Sequence, residues 1–285
     1  MNATARTIGL FCVLTLLFMG IGYLMGMYFG NTIFSLGFFL TLALLVNLFT
    51  YFYSSNIILW SYRARIINEE DNPRLYQIVK KVAMNANLPT PKVALVPLSI
   101  PNAFATGRNK KYAVICVTEG LLLTLNNDEL EGVIGHEMGH IKDRDILLMS
   151  VAATITGALS FMSRAYMWRS FFSRDRDDFL IYIVLALAAF GALLIQLAIS
   201  REREFKADEQ SAKITKKPLA LASALRKLEY HASKNPLKRG NPSTASLFIV
   251  NPFRSDGLIR LFSTHPPTEE RIKRLEDMAR NFSYL

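Results

Sequence analysis

His136, Glu137 and His140 lie in the run His136-Glu137-Met138-Gly139-His140, and their types and spacing suit metal-assisted hydrolysis. On a helix, residues four apart sit one turn apart on one face, so both imidazoles can share a cation. Glu137 is adjacent but rotated, which lets its carboxylate face a water beside the metal rather than the metal itself, as a general base requires. A zinc hydrolase usually has three protein ligands and one open position. The downstream candidates for the third are few. His231 and His265 are the only other histidines, and Arg201-Glu202-Arg203-Glu204-Phe205-Lys206-Ala207-Asp208 supplies acidic groups directly after a long apolar stretch.

Those side chains need elements to carry them. Asn127-Asp128-Glu129 reads as a helix N-terminus, with acidic groups where the dipole favours them, and the helix is expected to run through Gly132 to Asp143. Two uncharged stretches follow, 146–163 and 179–200, the first barely long enough to span a bilayer and the second comfortably so. As antiparallel helices they would return the chain to its starting end, bringing the acidic groups of 201–208 beside the histidines. Upstream, Asn72-Pro73 starts a helix with Leu75, Ile78, Val79 and Val82 at helical spacing. Residues 93–98 and 112–117 read as β-strands of a small sheet, separated by a loop with Pro101, Gly107 and the polar run Arg108-Asn109-Lys110-Lys111.

Composition excludes an ordinary soluble enzyme: 51% of the 285 residues are hydrophobic and the mean hydropathy is +0.21. Residues 7–62 contain no Asp, Glu, Lys or Arg, enough for two membrane helices turning at Gly30-Asn31-Thr32. The stretch outruns the roughly 7–15 apolar residues of a cleaved signal peptide. Cys12 and Cys116 fall in different regions, which argues against a disulfide framework and a cysteine metal cluster. The net charge of +10 scatters among acidic residues without a nucleic-acid motif, so an anionic membrane surface is the expected partner and nucleic acid is not.

Four ordered motifs, spread over nearly the whole chain behind the apolar N-terminal hairpin, carry a family resemblance: Asn102-Ala103-Phe104-Ala105-Thr106-Gly107, the His-Glu-x-x-His run, Glu204-x-x-x-Asp208, and Thr264-His265-Pro266-Pro267. Together they resemble the HtpX-type heat-shock membrane proteases and their relatives, the CAAX prenyl endoproteases. The resemblance implies that Glu204 is the third zinc ligand and that Asp208 orients a ligand histidine. It implies a site-lining role for His265, with Arg271 nearby, polarising the substrate carbonyl or steadying the tetrahedral oxyanion. It also sets Asn102 and the segment after it beside the substrate cleft, where 112–117 or its partner strand would hold an extended peptide by backbone pairing.

The expected protein is an α+β integral membrane protein, with a mainly helical zincin-like metalloprotease domain, a small β-sheet and transmembrane helices. Its expected parts are an N-terminal transmembrane hairpin (1–62), the first part of the protease domain (63–145), a second apolar hairpin (146–200) and the remaining protease part (201–285). One Zn²⁺ per subunit, polypeptide substrates drawn from the membrane, and a multi-pass location in the cell membrane complete the expectation. Arg6, Arg63, Arg65, Lys142, Arg144, Arg201 and Arg203 mark the active-site side as cytoplasmic. Arg164, Arg169, Arg174 and Arg176 would then face outward, which leaves open whether the second hairpin crosses fully. The rival readings are a prenyl-protein endoprotease sharing the metal site, and a non-catalytic scaffold with structural zinc. The scaffold would leave Glu137 beside an open position unexplained.

Overall fold

The computed structural model describes residues 3–172, 201–234, 248–250 and 266–282. Helices α1 (Ala3–Phe29) and α2 (Thr32–Ser61) form the N-terminal hairpin, and both are long and apolar enough to cross a membrane. Gly30 has a φ of +76° at the turn, and the Asn31 side chain caps α2 by accepting from the Phe34 N–H. The strands β1 (Arg65–Ile67), β2 (Lys92–Val96), β3 (Ala103–Thr106) and β4 (Val114–Thr118) make one mixed sheet in the order β1-β2-β4-β3. Among the described strands only β2 and β4 run parallel.

Around the sheet lie α3 (Pro73–Asn85), α4 (Glu119–Thr124), α5 (Asn127–Lys142), α6 (Asp145–Phe172), α7 (Arg201–Thr215), α8 (Pro218–Lys234) and α9 (Thr268–Phe282). Alternation along the strands explains the sheet's position. Val93, Ala103, Ala105, Ile115 and Val117 face the main core with α5, whereas Ala94, Val96, Phe104, Val114 and Cys116 pack with Ile58 of α2 and Ala153 of α6. The sheet is thus wedged between the His-bearing helix and the ends of the apolar helices. The start of α1 joins the same side, where Leu10 and Leu14 pack on Leu148 and Val151 of α6.

Two strands lie where the sequence suggests none. The four residues of β3 fall inside the segment read as a loop, because Ala103-Phe104-Ala105-Thr106 lacks the β-branched run that marks a strand; pairing with β4 and complete burial impose it. β1, at three residues, is too short for periodicity to register. The predicted strand at 112–117 begins at Val114, since Lys110–Tyr112 forms a 3₁₀ turn capped by Asn109. The expected apolar stretch 146–163 is part of α6, while 179–200 lies outside the described residues.

The packing of α5 on α7 depends on small residues. A Cβ on Gly135 would lie 2.7 Å from Ser211 Oγ and 2.8 Å from Thr215 Cγ2, and one on Gly139 would lie 3.1 Å from Ala207 Cα. Ser211 Oγ uses this closeness to donate to the Gly132 carbonyl at 2.6 Å. A Gly135→Val substitution is expected to force the helices apart, costing about 1–3 kcal/mol in stability and lowering metal affinity at least about tenfold. Thermal unfolding and a metal titration in detergent check this; unchanged affinity would contradict it.

Candidate metal centre

α5 starts with a full capping box: the Asn126 side chain accepts from the Glu129 N–H at 2.9 Å while Glu129 returns a bond to the Asn126 N–H at 2.9 Å. Glu129 is tied further to Ser223 and Lys227 of α8, which pins the helix in the core. With α5 fixed, His136 Nε2 and His140 Nε2 face each other at 3.3 Å. Glu204, projecting from the first turn of α7, brings its carboxylate oxygens 3.6 Å from each of those nitrogens. Ligand atoms held about 2.0–2.1 Å from a tetrahedral ion stand roughly 3.3–3.4 Å apart, so the three groups are spaced to hold one ion.

Charge makes the same case. Glu137, Asp145, Glu204 and Asp208 are buried alongside Arg203 and Arg271, and four carboxylates against two guanidinium groups leave two negative charges when the imidazoles are neutral. A divalent cation cancels them. Without such compensation buried charges cost several kcal/mol each.

Each histidine has a carboxylate on the side of its other nitrogen, within hydrogen-bond distance for His136 and farther off for His140. His136 Nδ1 lies 2.8 Å from Asp208 Oδ1, and Asp208 is in turn held by Arg271 through Nε (2.8 Å) and Nη2 (2.7 Å). His140 Nδ1 lies 3.8 Å from Asp145 Oδ2, and Arg203 Nη1 approaches the other oxygen of Asp145 at 3.3 Å. Carboxylates behind ligand histidines fix ring orientation and raise basicity. The Asp145–Arg203 pair was not legible in the sequence. The left-handed turn at Arg144, φ 62°, folds α6 back so that its first residue approaches His140.

Burial is the largest influence on these groups. It raises the Glu137 carboxyl above its ordinary value, opposed by His136, His140 and the backbone N–H of Ala105. Burial would lower His136, but hydrogen bonds to Asp208 and Glu204 outweigh it and raise the pKa to about 9. Burial also favours a neutral Asp208, yet Arg271 and His136 hold it below the usual carboxylate range. The Cys116 thiol is pushed up, first by burial and then by the Glu137 charge, which keeps it protonated and poorly suited to metal or nucleophilic chemistry.

The other predicted site residues have defined surroundings. Asn102 is buried, and its Oδ1 accepts from the Ile249 N–H at 3.1 Å. Arg271 donates from Nη1 to the Ile249 carbonyl at 2.9 Å. Both therefore grip one stretch of the chain, and Arg271 links it to the His136–Asp208 pair. His265 lies outside the described residues. Of the two strands offered as the substrate edge, β4 is interior to the sheet and β3 lies at its end among the described residues.

The family model for peptidase family M48 matches residues 69–279. A "Protease HtpX homolog" of Thermococcus sibiricus is 50% identical, with 97% of this chain and 96% of that one covered. A second, of Pyrococcus furiosus, is 52% identical with 96% and 95% covered. A third, of Methanocaldococcus jannaschii, is 52% identical with 84% and 87% covered. Among solved structures, the crystal structure of S. mikatae Ste24p is similar in fold at a TM-score of 0.52 and 17% identity. It matches 95% of this chain, which spans 65% of the length of that one.

At pH 7 a His136 with a pKa of about 9 carries a proton before metal arrives, so metal uptake is expected to release close to one proton. Because the proton competes with the ion, apparent affinity should climb as pH rises, by about tenfold per unit, and level off once His136 is deprotonated. Calorimetric titration in two buffers of different ionisation enthalpy measures the release; none would contradict it. Asp145→Asn is expected to weaken metal binding about 10–100-fold while leaving the helical content intact, and wild-type affinity would remove Asp145 from the site.

Proposed function

The chain belongs to peptidase family M48 and is a membrane-bound metalloprotease, and we propose that it cleaves misfolded or damaged membrane proteins with one Zn²⁺ held by His136, His140 and Glu204. The observation that carries this reading is the convergence of those three buried groups within 4.8 Å, with Glu137 beside them against the edge strand. Histidine and carboxylate ligands without cysteine are the donor set of catalytic rather than structural zinc, which disfavours the scaffold reading.

When bound, Zn²⁺ supplies a Lewis acid for the scissile carbonyl and lowers the pKa of the attacking water. Glu137 accepts that water's proton, helped by the burial that raises its basicity, and returns it to the leaving amine. Asp208, locked by Arg271, would keep the His136 imidazole aimed at the ion, and Asp145, held by Arg203, stands on the far side of His140. β3, at the end of the sheet among the described residues, would hold an extended peptide by backbone pairing with little side-chain preference. Asn102 and Arg271 border this cleft, and His265 would steady the oxyanion, as the resemblance implies.

α1 begins and α2 ends at the protease domain, with Arg6, Arg63 and Arg65 beside them, which supports a cytoplasm-facing active site in the cell membrane. A prenyl-protein endoprotease would use the same centre. The fold likeness to Ste24p keeps that reading alive without extending to substrate.

Glu137→Gln is expected to retain stoichiometric metal yet lose at least about a thousandfold in turnover of a loosely folded protein, whereas Glu204→Ala loses the metal as well. Metal analysis with chelator-controlled cleavage assays on detergent-purified protein checks both. Full metal occupancy in Glu204→Ala would refute the ligand assignment. Preferential cleavage of a prenylated peptide over a loosely folded protein would favour the rival substrate.

A further inference from the structure

The basic run Arg108-Asn109-Lys110-Lys111 has no part in the metal centre, yet it is held in a defined shape against the membrane helices. Gly107, at φ +142°, lets the loop fold back so closely that a Cβ there would lie 2.6 Å from the Tyr112 carbonyl oxygen. The Asn109 side chain accepts from the Lys111 and Tyr112 N–H groups at 3.0 and 3.3 Å. These constraints set the Arg108 guanidinium 3.8 Å over the Tyr112 ring and 5.5 Å from the centre of the Phe52 ring. Among the described residues it pairs with no carboxylate, and Lys110 and Lys111 follow it in the same loop.

Below Arg108 runs a groove of about 770 Å³ lined by Leu45, Val46, Leu48, Phe49, Phe52, Tyr53 and Asn56 of α2. Its walls are apolar and exposed, and the Phe49 and Tyr53 rings stack with centroids 5.0 Å apart. Depth along α2 decides what fits. The helix has 30 residues, about 45 Å at 1.5 Å per residue, against a hydrocarbon core of about 30 Å. With the α1–α2 turn at the far edge of that core, the first 20 or so residues of α2 would cross it and bring Phe52 and Arg108 to the headgroup level on the protease side. From there to Leu45 the groove descends about 10 Å into the acyl region.

We propose that this groove binds one anionic phospholipid, its phosphate on Arg108 and an acyl chain along Leu45–Phe52 of α2. A cation with no carboxylate partner among the described residues, above an aromatic and aliphatic channel, fits that molecule and no soluble anion, which would leave the channel uncovered. The site also touches the catalytic framework, because Arg108 follows β3 by two residues. A bound lipid would therefore steady the edge strand that lies against Glu137.

The proposal rests on α1 and α2 being membrane-embedded, and it is tested by binding alone, so its failure would leave the protease reading untouched. The full chain in detergent is titrated with a fluorescent phosphatidylglycerol and with the phosphatidylcholine of the same acyl chains. One saturable site is expected, about fivefold tighter for phosphatidylglycerol. Arg108→Gln should erase that preference, Arg108→Lys should keep it, and free glycerol phosphate should not compete. Equal affinity for both lipids, an unchanged preference in Arg108→Gln, or displacement by glycerol phosphate would each overturn the proposal.

Discussion

Four carboxylates are buried around one pair of histidines in this protein, and the cost of their charge in the interior is the constraint around which the site is built. Glu137, Asp145, Glu204 and Asp208 are each at most 4% exposed, where an unbalanced charge costs several kcal/mol. Arg271 and Arg203 neutralise two of them. The remaining charge falls on Glu204 and Glu137, where a divalent ion can balance it, and in the metal-free state the proton on His136 carries part of the load. Metal affinity, proton affinity and folding are therefore linked through the same few side chains.

That cluster can form because α5 and α7 approach closely. Gly135 and Gly139 on one helix meet Ala207 and Ser211 on the other, and the gap between the helix axes closes enough for Glu204 and Asp208 to reach the histidines. The sheet supplies the second support. One face carries α5 while the other packs on the ends of α2 and α6, so the centre sits against the membrane helices rather than on a flexible tether. Arg271 adds a crosslink from α9 to Asp208 and to the Ile249 carbonyl.

The parts of this arrangement legible in the sequence are those written in short spacings. The pair His136 and His140 reads directly from helical periodicity, as do α3 with its Asn72 cap and the uncharged hairpin of α1 and α2. Glu204 and Asp208 needed the family resemblance, because nothing local separates Glu204 from Glu202 as a ligand; only packing on α5 does. Asp145 and Arg203 were missed for the same reason, since their partnership spans 58 residues. β3 was hidden because its alanines are strand-forming only when paired and buried. Arg271 was expected in the substrate cleft near His265, and the hydrogen bonds that tie it to Asp208 and to the Ile249 carbonyl could not be read from the sequence.

X-ray absorption at the zinc edge of stoichiometrically loaded, detergent-purified protein tests the central claim most directly. The account predicts two imidazoles with the remaining ligands oxygen, at about 2.0–2.2 Å, and no sulfur. A sulfur shell near 2.3 Å, or scattering from one imidazole or three, would contradict it.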